Sequence, residues 1–419
     1  MIPIEDALKK ILSYVDVLQP EEKPILDSMG QVLCEDVYSA ISVPPLDNSA
    51  MDGYAVRSAS TAGASASNPV ILRVIGEVAA GSISDVTVEP GAAVRIMTGA
   101  PIPEGADTVV QFEHTDEEAR SASGRPLDEI GVLYETPVNL NIRRAGEDIK
   151  KGDLVLKKDV VIRPQEVGLL ASLGRATVRV IRRPVVAVLA TGDELVDVGE
   201  PLPPGKIYNS NTFSMASQVY RYGGIPRILG IATDTTDALW NKISEGLDAD
   251  MLITSAGVSM GDYDVVKDVL ARHGQIAFWT VRMKPGKPLA FGTLNGSNGR
   301  KVPHLGLPGN PVSSMVSFEQ FARPAILKML GRKLLAKPTV SAISESRIMN
   351  KDRRRIFTRV FVRKDGDKYY ANSVGPQGSG ILTSMGQANG LMITPEDAAY
   401  TDIGDTATVQ MLDWTEDQL

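Results

Sequence analysis

The chain has 419 residues and a formal net charge of −7, with 43% apolar and 23% charged residues. That is the balance of an ordinary globular protein, too long for one core and too acidic for broad nucleic-acid binding. A single cysteine, Cys34, excludes an intrachain disulfide and a thiolate metal cluster, and His114, His273 and His304 are too scattered for a zinc signature. Within the apolar run Val32–Val37, Cys34 reads as a packed core thiol rather than a nucleophile. No stretch nears the roughly 18 uncharged apolar residues of a membrane span. The start, Met1-Ile2-Pro3-Ile4-Glu5-Asp6, lacks the basic and apolar regions of an export signal, so a cytoplasmic location is expected.

In chain order, Ile4, Ala7, Leu8, Ile11, Leu12 and Val15 form a helical stripe behind Pro3. Residues 24–38 read as a short helix or a strand pair. From about 40 to 142 the pattern changes to short β-type runs broken by Gly, Pro and Ser, with Arg120–Gly131 as a hairpin loop. A helix over Gln165–Leu173 stops at Gly174. Then comes the clearest alternation: strand Val185–Ala190, helix Asn211–Tyr222, strand Pro226–Ala232, helix Thr236–Leu247, strand Ala249–Thr254, helix Asp264–Arg272. Strand-like pieces Ile276–Val281 and Pro288–Phe291 and a turn at Leu294–Lys301 precede a long helix from Pro311 to Leu330. This spacing predicts a doubly wound, mostly parallel sheet. Short Val/Ile/Tyr runs over 339–413 predict a small all-β domain. The fold class is therefore α/β multidomain. Its expected parts are a composite region of 1–40 with 143–180, a β-rich insertion at 41–142, the α/β domain at 181–330, and a terminal β domain at 331–419.

Loops that follow strands of an open α/β sheet line one crevice, the usual ligand site. Here Thr191-Gly192-Asp193-Glu194-Leu195 and Ser255-Ala256-Gly257-Val258-Ser259-Met260-Gly261-Asp262 directly follow the strand-like stretches Val185–Ala190 and Ala249–Thr254. Two further Gly/Pro-rich loops read Lys284-Pro285-Gly286-Lys287-Pro288 and Leu307-Pro308-Gly309-Asn310-Pro311. Glu194, Asp234, Asp262 and Asp264 all fall at the same end of that sheet. Singly, each has a bland explanation: a solvated βα turn for Glu194, helix capping for Asp264. Together they supply the one or two hard carboxylates that magnesium takes beside phosphates and water. Ser255–Gly261 meets a helix start and suits a phosphate, without being a P-loop. Lys284 and Lys287 flank a rigid turn and suit an oxyanion. Lys351–Arg355 reads on its own as a solvated charge run.

Asp47–Tyr54 (DNSAMDGY), Arg95–Pro103 (RIMTGAPIP), Arg143–Asp148 (RRAGED), Thr191–Leu195 (TGDEL), Ser255–Gly261 (SAGVSMG), Lys284–Pro288 (KPGKP), Leu307–Pro311 (LPGNP) and Gln377-Gly378-Ser379 occur in this order. They resemble the molybdopterin molybdenumtransferases, the MoeA family that includes the gephyrin E domain. The resemblance spans roughly residues 1–410, and so many long motifs in order make it specific.

It implies a composite N-terminal region, a β insertion, an α/β molybdopterin-binding domain and a C-terminal β-barrel. It also implies a homodimer whose cleft joins the α/β domain of one subunit to the β insertion of the other. The implied reaction inserts molybdate, or equally tungstate, into adenylylated molybdopterin with Mg²⁺-dependent release of AMP. A molybdopterin adenylyltransferase is the implied upstream partner; no membrane or nucleic acid is involved. Asp52, Thr98, Glu194, Asp234 and Asp264 carry over as catalytic. Glu194, Asp234, Asp262 and Asp264 carry over as metal positions, with Asp262 and Asp264 both open. The substrate-binding set is Ser255, Gly257, Ser259, Gly261, Lys284, Lys287, Pro308, Asn310, Pro311, Arg354 and Ser379. One departure is Ala256, where the family has a second glycine. The rivals are a non-catalytic gephyrin-like scaffold and an adenylyltransferase or pyrophosphatase-type activity; DNSAMDGY argues against the second pair.

Overall fold

The computed structural model describes residues 1–256, 265–296 and 299–414. The chain divides into two compact units. One holds residues 1–23, 28–34 and 179 onward; the other holds 24–27 and 35–178.

The first unit is built on a six-stranded sheet in the order Ile225–Ala232, Val185–Thr191, Met251–Ser255, Lys301–Leu307, Pro288–Asn295, Gly274–Thr280. The first four strands run parallel; Pro288–Asn295 runs against them and pairs antiparallel with both its neighbours, so that Gly274–Thr280 again runs in the first direction. Alternate residues of one strand feed opposite faces, as the pleat demands. Val186 and Val188 pack with Met215, Val219 and Val316, while Ala187 and Leu189 pack with Leu239, Ile243 and Leu270. Helices thus cover both faces, and Met251–Ser255 is buried along its whole length. The first helix, Ile4–Leu12, joins one of these cores through Ile4, Ala7 and Ile11, with acids in its first turn and lysines in its last.

Two sequence expectations need correction here. Lys301–Leu307 is a strand, placed between Met251–Ser255 and Pro288–Asn295, where only a turn and loop were expected. The long helix is helical from Pro311 to Met329, but Phe318–Ala322 is a π-helical segment within it.

The carboxyl ends of the parallel strands share one edge: Thr191 lies beside Ala232, Ala190 beside Ser255, and Ser255 beside Leu307. Chain order reverses between Val185–Thr191 and Met251–Ser255, which makes that gap the switch point of the sheet.

Beyond it, Thr339–Ser344, Arg355–Asp365, Lys368–Ser373, Gly390–Thr394 and Thr406–Met411 close into a barrel, because Arg355–Asp365 pairs with both Lys368–Ser373 and Gly390–Thr394. Val340, Val360, Val362, Met392 and Val409 fill it. A short strand, Met283–Lys284, pairs in parallel with Arg355 and Ile356, stitching the lysine turn to the barrel.

The second unit holds a five-stranded sheet in the order Thr108–Gln111, Gly53–Val56, Ala92–Ile96, Val70–Val78, Glu129–Val132. Tyr54 and Val56 enter one apolar cluster and Ala55 the other. The expected hairpin loop at Arg120–Gly131 is instead the end of helix Glu117–Ala122 and the start of strand Glu129–Val132. Asp116 anchors that change by accepting from Gly131 N and pairing with Arg120. Among the described residues, no helix is long and apolar enough to cross a membrane.

Candidate active site

At the switch point lies a cavity of about 290 Å³. Its walls include Thr191, Glu194, Asn209, Asn211, Ser255, Ala256, Asn310 and Pro311. Glu194 reaches it because residue 192 is glycine. Gly192 has φ +142°, and a Cβ there would meet the Glu194 carboxylate at 2.5 Å. The Glu194 carbonyl accepts from Ile207 N at 2.9 Å, which begins the parallel pairing of Leu195–Val196 with Ile207–Tyr208.

That pairing delivers Asn209 to the start of helix Ser210–Arg221, where its Oδ1 accepts from Thr212 N at 3.2 Å. Asn211 Nδ2 donates to Ser255 Oγ and to the Gly309 carbonyl, both at 2.7 Å. Asn211 therefore ties three loops of the crevice together. Neither asparagine belongs to the site expected from the sequence. The available signal was the polar Asn209-Ser210-Asn211 immediately before an apolar helical stripe.

Asp234 lines neither this cavity nor the next; it lies against the turn that carries Glu194, its N–H donating to Asp193 Oδ1 at 3.2 Å. Burial raises its pKa above the usual carboxylate range, and the charges of Asp193 and Glu194 add to the rise. Among the described residues no group of three or more His, Cys, Asp or Glu is arranged to hold a metal. Glu194 and the electrostatically frustrated Asp234 nevertheless suit a cation that brings phosphate oxygens and water as its remaining ligands.

A second cavity of about 350 Å³ adjoins the first, and Asn310 lines both. Its wall holds Lys284, Lys287, Pro308, Arg354, Gln377 and Ser379. Gly286 makes the lysine turn possible: φ is +96°, and a Cβ would lie 2.4 Å from Ser317 Oγ. The parallel pairing of Met283–Lys284 with Arg355–Ile356 then sets Lys284 beside Arg354. Asp352, unremarked in the sequence, bridges these two cations: Lys284 Nζ lies 3.2 Å from its Oδ2, and Arg354 Nη2 donates to the same oxygen. Those hydrogen bonds hold Asp352 below the usual carboxylate range, Arg354 first and Lys284 second. Lys351–Arg355 is thus more than a solvated run, since Arg354 lines the cavity while Arg355 pairs with Glu396 and Glu5.

In the second unit, Asp52 Oδ1 accepts from the backbone N–H and the hydroxyl of Thr98, at 2.7 and 2.8 Å. Antiparallel pairing of Gly53 with Ile96 brings them together. Of the expected site, Glu194, Ser255, Asn310 and Pro311 line the first cavity, and Lys284, Lys287, Pro308, Asn310, Arg354 and Ser379 the second. Gly257, Ser259, Gly261, Asp262 and Asp264 lie outside the described residues.

Residues 2–174 match the MoeA N-terminal region (domain I and II), 187–328 a probable molybdopterin binding domain, and 341–412 the MoeA C-terminal region (domain IV). The molybdopterin molybdenumtransferase of Haemophilus influenzae is 38% identical, covering 98% of each chain. Molybdopterin molybdenumtransferase 2 of Mycobacterium tuberculosis is 36% identical over 96% of this chain and 98% of its own. Two structures of a molybdopterin biosynthesis MoeA protein from Pyrococcus horikoshii superpose with TM-scores of 0.81 and 0.78. They are 32% and 29% identical, covering 99% and 98% of this chain and 100% of theirs. The chain belongs to the molybdopterin molybdenumtransferase (MoeA) family.

Proposed function

We propose that this enzyme, a transferase of molybdenum cofactor biosynthesis, inserts molybdate into adenylylated molybdopterin with Mg²⁺-dependent release of AMP. The observation that carries the reading is the pair of adjoining cavities sharing Asn310, one bordered by Glu194, the other by Lys284, Lys287 and Arg354. An anionic substrate with two ends needs such a division. The cationic cavity takes the tetrahedral dianion, and the switch-point cavity takes the phosphoanhydride.

Mg²⁺ bound by Glu194 and Asp234 would supply charge neutralisation on the leaving phosphate. Asn211 holds the loops of the phosphoanhydride cavity in register. Lys284, Lys287 and Arg354 orient the oxyanion by charge and hydrogen bonding. Asp52, fixed by Thr98, orients the attacking water or dithiolene thiol. Water adds its oxygen to the molybdopterin phosphorus while AMP leaves with the bridging oxygen, and the two dithiolene thiols replace one oxo group of molybdate, which leaves with their protons as water.

The reading includes a cytoplasmic homodimer supplied by a molybdopterin adenylyltransferase. Phe213, Tyr220, Ile225 and Ile228, exposed on helix Ser210–Arg221 and the edge strand beside it, favour self-association. Purified protein incubated with molybdopterin-AMP, molybdate and Mg²⁺ is expected to release AMP and to yield cofactor that activates an apo-molybdoenzyme. Absence of both products overturns the reading.

A further inference from the structure

Resting on the reading of the second cavity as the oxyanion site, we propose that Arg359 is a positioning residue. Its buried positive charge tunes that cavity for a dianion, and its hydrogen bonds hold the turn that lines it.

Arg359 lies on barrel strand Arg355–Asp365 and is only 1% exposed. Its side chain points at the segment that carries the cavity wall. Nη2 donates to the carbonyls of Pro376 and Gly378 at 3.2 and 3.0 Å, and Nε donates to Ser384 Oγ at 3.1 Å. Its backbone closes the same turn: Arg359 N donates to Gln377 Oε1 at 3.0 Å, and Gln377 Nε2 donates back to the Arg359 carbonyl at 3.2 Å. Gln377, Gly378 and Ser379 then form one wall of the cavity.

The partners are all neutral. Among the described residues no carboxylate pairs with Arg359, whereas buried Arg323 has Glu319 at 3.7 Å. Burial correspondingly pulls the Arg359 pKa down. A buried charge without a counter-ion is costly. One retained directly behind an anion cavity is compensated when the anion binds, and the near-complete exclusion of solvent from the guanidinium limits screening of the attraction.

Coulomb energy is linear in ligand charge, which separates this role from a merely structural one. Molybdate and perrhenate are both tetrahedral oxyanions of similar size, carrying two charges and one. Removing the Arg359 charge costs molybdate twice the logarithmic loss of perrhenate. With perrhenate weakened about tenfold, the molybdate-to-perrhenate affinity ratio falls by about tenfold too. A displaced turn weakens both anions alike and leaves the ratio unchanged.

Calorimetric titration of the full chain with each anion tests this in Arg359→Gln, Arg359→Lys and Gln377→Leu. The ratio is expected to fall in Arg359→Gln, to persist in Arg359→Lys, and to persist in Gln377→Leu, which disturbs the turn but keeps the charge. An unchanged ratio in Arg359→Gln overturns the proposal. Should that variant fail to fold, a changed ratio in Gln377→Leu or a lost ratio in Arg359→Lys overturns it. If the wild type binds neither anion, or if Lys284→Ala leaves both affinities unaltered, the oxyanion reading of the cavity itself fails and takes this inference with it.

Discussion

Asp52 is held by Thr98 through one oxygen only, Oδ1, which takes both the backbone N–H and the hydroxyl. That leaves Oδ2 without a partner among the described residues. The first cause of its lowered pKa is the Thr98 backbone, the second the Thr98 hydroxyl. An acid so held is ionised throughout the neutral range and ready to accept a hydrogen bond. Asp52→Asn is therefore expected to abolish AMP release while oxyanion and nucleotide binding stay nearly intact. Thr98→Val removes the hydroxyl but keeps the N–H, so Asp52 relaxes toward its ordinary value. The acid limb of the rate profile should move to higher pH. Near-wild-type turnover in Asp52→Asn rejects its assigned role.

Asp234 behaves in the opposite sense. Burial and the neighbouring acids raise its folded pKa. Stability from this group is present below the unfolded carboxylate value, and it is lost as pH rises through the raised one. At neutral pH the ionised side chain is a strain on the fold, relieved by a cation. Asp234→Asn should raise Tm by on the order of 1–2 °C without Mg²⁺. Added Mg²⁺ should stabilise the wild type more than the variant, and AMP release should fall steeply. Equal Mg²⁺ stabilisation of both proteins removes Asp234 from the metal site.

How much of this the sequence discloses follows from what kind of pattern each part leaves. Val185–Thr191 and Met251–Ser255 are buried on both faces, so they stand out as unbroken apolar runs between helical stripes. Lys301–Leu307 does not, because Pro303 and His304 interrupt it. His304 is tolerated in the centre of the sheet by its hydrogen-bonding contact with Thr254 Oγ1 at 3.0 Å. The grouping of Glu194 and Ser255 follows from their shared position after strands legible as apolar runs, whereas Asn310 joins them only because Lys301–Leu307 proves to be a parallel strand. The approach of Lys284 to Arg354 does not, since it depends on a two-residue strand joining the barrel. Asp352 is invisible for a related reason: within a basic run, a lone acid reads as charge balance, and only its position between Lys284 and Arg354 gives it meaning.

That position makes Asp352 an internal competitor for the cations of the second cavity. An incoming dianion has to take Lys284 and Arg354 from it. Asp352→Asn keeps the shape and removes the competing charge. Because the pair is exposed, the gain is modest: molybdate should bind about two- to fivefold more tightly. Titration calorimetry reads this directly, and weaker binding by the variant shows Asp352 to be a support for the two cations instead.

Ala256 occupies the left-handed region, with φ +78°, at the mouth of the first cavity. Its methyl also sits against Gly309, where an added Cβ would meet it at 3.3 Å. Ala256→Gly relieves the backbone strain, offset in part by a more flexible unfolded chain, for a net stabilisation of about 0.5–1 kcal/mol. The contact predicts coupling. Gly309→Ala should destabilise the wild-type background more than the Ala256→Gly background, because the second methyl then has room. Additive effects in chemical denaturation rule the contact out.

His304 gives the fold an acid weakness in the middle of its central sheet. It is fully enclosed, and burial lowers its pKa to about 3. In the unfolded chain it titrates near the ordinary value of about 6.5. A depressed folded pKa means stability is complete above the unfolded value and drains away as pH falls toward the folded one. The drain therefore spans about pH 6.5 to 3 and amounts to on the order of several kcal/mol. Asn at this position can still meet Thr254 Oγ1 but cannot take up a proton. His304→Asn should be less stable than the wild type at pH 8, because the smaller side chain leaves space among core strands. It should nonetheless lose stability less steeply below pH 6.5, so that the two stability curves converge on acidification. Parallel curves across that window place the acid sensitivity of the fold on its carboxylates and not on His304.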